Sequence, residues 1–234
     1  RIARGEDLLD HLPGLVTTFP SLTNAEFAEY WRSAQIAGQF PGLLGFSTIE
    51  RVPDADLAAY GAARLADPVS GITPSDTFSV FPVGRRDEYC LQRTGLWTAN
   101  EFEGFEVSAG FDFCVTDLGL GPTSELAPVL DAATDTGVYT MVVPFYAGGE
   151  VPDTVAARRA ASIGWAAVAL DADALVADTS GRDTAMGVVV RQANSGTGPL
   201  VIAAAGDLDL GDSDVVVSTV DAGSGWTVTV AAAP

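Results

Sequence analysis

Apolar, β-branched and aromatic residues run almost unbroken from Val138 to Phe145 and again from Ile163 to Leu170. Runs of this length and composition predict two largely buried strands, the first closed by Pro144 and Ala147-Gly148-Gly149. Between them Asp153 or Thr154 caps a short helix over Val155 to Ala161 with Arg158 and Arg159 on its polar face. Asp171 or Asp173 then caps another through Leu175 and Val176. Upstream, Thr23-Asn24-Ala25-Glu26 is a capping box, and Phe27, Tyr30, Trp31 and Ala34 form the apolar face of the helix it starts. Leu43 to Val52 predicts a strand, Pro53-Asp54 opens a helix through Leu57, Tyr60 and Leu65, and Phe78 to Val83 and Glu88 to Trp97 predict strands joined at Gly84-Arg85-Arg86-Asp87. Asn100 to Gly110 is polar and reads as a loop, and Ser124 to Ala133 as a short helix. Met186 to Gln192, Leu200 to Ala205, Val215 to Val220 and Trp226 to Val230 alternate with Gly, Ser and Asp turns and predict a small antiparallel sheet.

The first 20 residues place Ile2, Leu9 and Val16 seven apart, with Leu12 and Phe19 three residues after the last two. This short a/d stripe is interrupted by Pro13, and it fits either a helix packed on its own domain or a dimer stalk.

Charge narrows the partners. All 12 basic residues are Arg, against 31 acidic ones, for a formal charge of −19. Such a surface repels phosphate backbones and anionic headgroups, which argues against nucleic-acid binding and membrane adsorption. No window reaches the roughly 18 to 20 apolar residues that span a bilayer, and no signal-peptide pattern opens the chain.

Catalytic chemistry finds few footholds. His11 is the single histidine and lies in the N-terminal segment, so a Ser-His-Asp or Cys-His site has no base in the folded part. Two cysteines, Cys90 and Cys114, make a poor zinc set without a nitrogen donor, and they leave a reduced pair or one disulfide open. Each stands at a strand or strand end on either side of one loop, which brings the two near each other. Asp207-Leu208-Asp209-Leu210-Gly211-Asp212 lacks the bidentate glutamate of a calcium loop and reads as an acidic hairpin turn. No Walker-type phosphate loop occurs. Arg85 and Arg86 read as a solvated turn or as a grip for an anion. Neither a cofactor nor a metal is expected.

The ordered series Val-Pro-Phe-Tyr (143 to 146), Arg-Arg-Ala (158 to 160), Gly-Trp-Ala-Ala-Val-Ala-Leu-Asp (164 to 171) and Leu-Val (175 to 176) resembles the second half of a CHASE domain. This is the extracytoplasmic sensor module of membrane receptors, the plant cytokinin receptor kinases among them. Phe27-Ala28-Glu29-Tyr30, Phe40 to Phe46 followed by Arg51-Val52-Pro53, and Asp87-Glu88-Tyr89 extend the resemblance upstream, and Gly225 to Val230 resembles the last strand of such modules.

The resemblance implies an α+β fold: a long N-terminal stalk helix (residues 1–20), a membrane-distal PAS-like ligand-binding subdomain (21–180) and a smaller membrane-proximal PAS-like one (181–234). It implies a non-enzymatic sensor of a small molecule, homodimeric through the N-terminal helix through Ile2, Leu9, Leu12 and Val16. Membrane spans would flank the present sequence, and the output domain would lie elsewhere, a histidine kinase, cyclic-dinucleotide synthase or nucleotide cyclase. Asp112 stands where the cytokinin receptors place an aspartate that hydrogen-bonds an adenine-like ring, and Tyr89, Leu91, Met141 and Val143 are the expected lining. The strand and turn that precede the Pro-Phe-Tyr strand in the plant receptors have no counterpart after Gly137, so cytokinin itself is not implied. An acidic, Arg-only, Ala-rich chain looks bacterial. The composition also admits a secreted acidic binding or adhesion domain without signalling output.

Overall fold

The structure is a computed structural model, and it describes residues 9, 11–12, 14–19, 21–36, 40, 42–73, 75–98, 101–102, 105–106, 108–115, 130–133, 138–171, 174, 176, 186–192, 200–206, 216–223 and 226–232. Ile2, the acidic turn 207–212 and the subdomain boundary lie outside the described residues.

Among the described residues the bounded elements follow one another as α1 (Asn24–Ser33), β1 (Leu43–Pro53), α2 (Leu57–Ala66), β2 (Glu88–Trp97), β3 (Glu101–Phe102), β4 (Phe105–Glu106), β5 (Leu130–Ala133), β6 (Val138–Tyr146), α3 (Val155–Ala161), β7 (Ser162–Asp171), β8 (Met186–Gln192), β9 (Leu200–Ala205), β10 (Val216–Gly223) and β11 (Trp226–Ala232). They build one five-stranded antiparallel sheet in the order β2-β1-β7-β6-β5, a separate four-stranded one in the order β10-β11-β8-β9, and the small β3-β4 ribbon. The long apolar runs form the centre, with β7 between β1 and β6. Both Thr23 and Thr154 cap as their sequences predict: the Thr23 hydroxyl accepts from Glu26 N–H and Glu26 reaches back, and Thr154 accepts from Ala157 N–H.

Side chains alternate across the central sheet. Phe46, Met141, Val168 and Leu170 point to one face and join Phe27 and Trp31 of α1. Ile49, Val142, Trp165, Ala167 and Cys90 point to the other and meet Val69, Ile72, Phe111 and Phe113 from the loops.

The N-terminal segment departs from its expectation. Leu9, His11, Leu12 and residues 14–18 are helical, but no long stalk helix is evident among the described residues. Leu9, Leu12 and Val16 are 1%, 0% and 3% exposed. Leu9 and Leu12 pack with Phe27, Trp31 and Met141 of the first sheet's layer and with Val188, Val190 and Ile202 of the second sheet. Leu9, Leu12 and Val16 are thus removed from water within one chain, whereas Phe19 at the end of the stripe is 55% exposed.

Three other local expectations are corrected. Residues 78–83 form no strand; Phe81 makes a single bridge to Phe111, and Pro82 brings no N–H to a ladder. Leu130–Ala133 is a strand rather than the end of a helix, because the edge of β6 takes its backbone hydrogen bonds; residues 124–129 lie outside the described set. The stretch expected as a loop contains the β3-β4 pair.

Candidate functional site

The short segment after the β3-β4 ribbon carries Asp112 into the interior between Phe111 and Phe113, whose rings lie edge to face at 4.9 Å. The Asp112 side chain is 0% exposed. A carboxylate so placed needs donors, and it finds them at one oxygen: Oδ1 accepts from the backbone N–H of Cys90 (3.0 Å) and of Cys114 (3.1 Å). These two cysteines form a disulfide with a Cα–Cα distance of 5.2 Å, within the ordinary range. The other oxygen, Oδ2, is buried and accepts no hydrogen bond among the described residues. It faces the Arg86 guanidinium, whose Nε is 3.6 Å away.

Arg86 itself is held over the end of β2. Its guanidinium donates to the carbonyls of Gly84 and Pro82 and lies 5.8 Å from the centre of the Tyr89 ring. The Tyr89 hydroxyl accepts from Arg86 N–H and donates to Asp54, which also takes two hydrogen bonds from exposed Arg85. The solvated-turn reading therefore describes Arg85 but not Arg86, which answers a buried charge.

The five residues expected to form one pocket are not brought together. Asp112 hangs from Cys90 on one face of the sheet, with the aromatic cluster. Tyr89 and Leu91 sit on the opposite face against Val52 and Tyr60. Met141 and Val143 also lie on that opposite face, beside Phe46 and Leu43. Strand periodicity explains the split: Tyr89 and Leu91 flank Cys90 in β2, so they point away from the side on which Cys90 meets the Asp112 segment. Tyr89 alone is linked to Asp112, through Arg86.

Two hollows are defined by described residues, and none of the five lines either. One, of about 120 Å³, lies between α2 and the loops at Val69, Ile72, Phe78 and Gly110, and is small for an organic ligand. The other, of about 390 Å³, opens on the sheet face that carries α1 and is bounded by Thr48, Glu50, Arg93, Phe145, Ile163 and the helical residues Val16 and Thr17. Sequence reasoning passed over Thr48 and Glu50. The signal was there, since both are polar and alternate with the apolar Phe46 and Val52 along one face of β1.

The sulfurs of Cys90 and Cys114 and a carboxylate oxygen of Asp112 lie within 4.8 Å of one another. That is a metal-like trio, but the disulfide occupies both thiolates that a soft metal would need.

Comparison with known families matches the chain to the CHASE domain model over residues 20–93 and 122–202. Comparison with curated proteins finds no match.

Proposed function

The chain belongs to the CHASE domain family, and on that premise we propose that it senses a small molecule for a transmembrane receptor whose output domain is a histidine kinase, diguanylate cyclase or nucleotide cyclase. CHASE domains are extracytoplasmic sensor domains of signalling receptors and are not catalytic. The Cys90–Cys114 disulfide agrees with such a compartment, since disulfides persist where the surroundings are oxidising. No helix among the described residues is long and apolar enough to cross a membrane; anchoring by flanking spans is part of the proposal.

The observation that carries the ligand reading is the state of Asp112 Oδ2: buried, charge-bearing, without a hydrogen bond among the described residues, and next to an aromatic cluster. A donor on a ligand would complete it. A neutral or cationic molecule suits the net acidity of the chain. In this reading the ligand sits on the Asp112 face of the five-stranded sheet, with Tyr89 acting through Arg86 and Leu91, Met141 and Val143 supporting the sheet from behind. Each of the two antiparallel sheets is the core of one PAS-like subdomain in this reading. Homodimerisation through the N-terminal segment stays part of the proposal, with the contact moved off Leu9, Leu12 and Val16, which face the domain's own core. Sedimentation of a chain extended toward the membrane reads that association directly. The Arg-only, Ala-rich composition supports a bacterial source.

The test of sensing is a thermal-shift panel of amines, purines, amino acids and small acids. A compound that binds the folded state raises its melting temperature in proportion to occupancy. No compound doing so at millimolar concentration argues against a small-molecule sensor.

A further inference from the structure

The larger hollow lies on the far side of the central sheet from Asp112, and its construction is unlike plain core. Its floor is a set of rows across three strands: Glu50 pairs with Gly164, which pairs with Phe145, and Thr48 pairs with Ala166, which pairs with Val143. The middle residues, Gly164 and Ala166, are small, so the floor is sunk between the side chains of β1 and β6. A Cβ added to Gly164 would come within 3.0 Å of the Phe145 ring and 2.3 Å of the Ile49 carbonyl. Val16 and Thr17 form the wall on the helical side.

Two polar groups on this floor make no hydrogen bond among the described residues. The Thr48 hydroxyl, on a residue 1% exposed, has no hydrogen bond among the described residues. A buried hydroxyl left without a hydrogen bond is uncommon, because its lost hydration is not made up elsewhere. Two residues along the same strand face, the half-buried Glu50 carboxylate accepts no hydrogen bond among the described residues. Burial pushes its carboxyl up from the ordinary value, against the pull of Arg93 and Arg64. Arg93, at the bulge of β2 opposite Thr48 and Ile49, lines the same hollow. An anionic group, a neutral hydroxyl and a cationic group thus border one cavity whose other walls are the apolar Val16, Phe145 and Ile163 together with Thr17, whose hydroxyl donates to the Gly14 carbonyl. At about 390 Å³ it is within the range of small-molecule sites.

We propose that this groove is a second ligand site, taking a small zwitterion of the α-amino-acid type. Its ammonium is held by the Glu50 carboxylate and the Thr48 hydroxyl, its carboxylate is turned toward Arg93, and a short apolar tail lies against Val16, Phe145 and Ile163. A lone amine would meet the Arg93 charge and a lone carboxylate the Glu50 charge, so only a molecule with both fits the field. Because Val16 and Thr17 belong to the helical segment that joins the two sheets, an occupant would bridge that segment to the central sheet and stiffen the joint. The site is independent of the Asp112 face.

Calorimetric titration with L-valine, isobutylamine and isovalerate tests it. L-Valine is expected to bind, with the amine and the acid each weaker by roughly tenfold or more, since each lacks one charge contact. Glu50→Gln and Thr48→Val are expected to weaken L-valine by a similar factor while Asp112→Asn leaves it unchanged. Thr48→Val keeps the side-chain shape and removes a hydroxyl that the protein does not use, so it should fold normally, which circular dichroism and melting verify. Absence of L-valine binding up to about 10 mM, equal affinity in Glu50→Gln and Thr48→Val, or isobutylamine binding as well as L-valine each overturns the proposal. Loss of binding in Asp112→Asn alone would assign the amino acid to the other face and overturn it too.

Discussion

Arg86 Nε stands 3.6 Å from Oδ2 of Asp112, and this is the one cationic group that the described residues place against that buried carboxylate. Removing a partner from a buried ion pair leaves the remaining charge without compensation, whereas a surface pair contributes little. Arg86→Met is therefore expected to lower stability by about 3 kcal/mol, read by urea denaturation. A loss below about 0.5 kcal/mol would mean that the two hydrogen bonds on Oδ1 suffice and the pair behaves like a surface one.

Asp112 also explains why its own deletion cannot be a clean probe of ligand binding. Its Oδ1 joins the N–H groups of both disulfide cysteines, so Asp112→Ala leaves two buried donors unmet as well as Arg86 unpaired. Asp112→Asn retains an acceptor at Oδ1. Asp112→Ala is expected to lose about 3 kcal/mol or more, with Asp112→Asn clearly less affected; equal losses in the two would contradict this division of roles.

The disulfide closes a loop with a sequence separation of 24. In the chain-entropy picture such a crosslink stabilises by about 3 kcal/mol. Cys90→Ala with Cys114→Ala should lower the denaturation free energy by that amount, and dithiothreitol should bring the unsubstituted protein to the same value. A double variant as stable as the oxidised protein would contradict it.

Glu50 gives a pH dependence of definite sign. Burial raises its native carboxyl above 4.5 despite Arg93 and Arg64, so the folded state holds the proton more tightly than the unfolded one. Ionisation then costs stability as pH rises from the unfolded value through the native one, and the full cost is present above both. Glu50→Gln is expected to be more stable than the parent at pH 7 and equal to it below about pH 4. An advantage that does not vary with pH would refute this account.

Much of the fold was legible because its strands are long and apolar. The β6 and β7 runs, the Thr23 capping box and all four C-terminal strands stand where periodicity places them, since buried central strands have few alternatives. The N-terminal stripe shows the limit. Leu9, Leu12 and Val16 read equally as stalk or core, and only the presence of Val188, Val190 and Ile202 across from Leu9 and Leu12 decides for core. Leu130–Ala133 was misread because an edge strand is defined by the neighbour it pairs with rather than by its own composition. In the candidate site, Asp112 was visible as a charge between two aromatics, but its actual partners are a side chain and two amides 22 residues or more away from it, or two residues on. The grouping of Asp112 with Leu91 and Met141 failed on strand parity, which a sequence reveals only once the register of the Asp112 segment against Cys90 is known.

In the proposed function a small molecule is held on the Asp112 face of the five-stranded sheet. Hydrogen exchange of the protein with and without the strongest stabiliser among the amines and purines of the thermal-shift panel tests this. Slowed exchange is expected at the amides of Cys90 and of residues 111–114, and is expected to be abolished in Asp112→Asn. Protection confined to residues 16–17, 48–50 and 145, with the Asp112 segment unchanged, would contradict it.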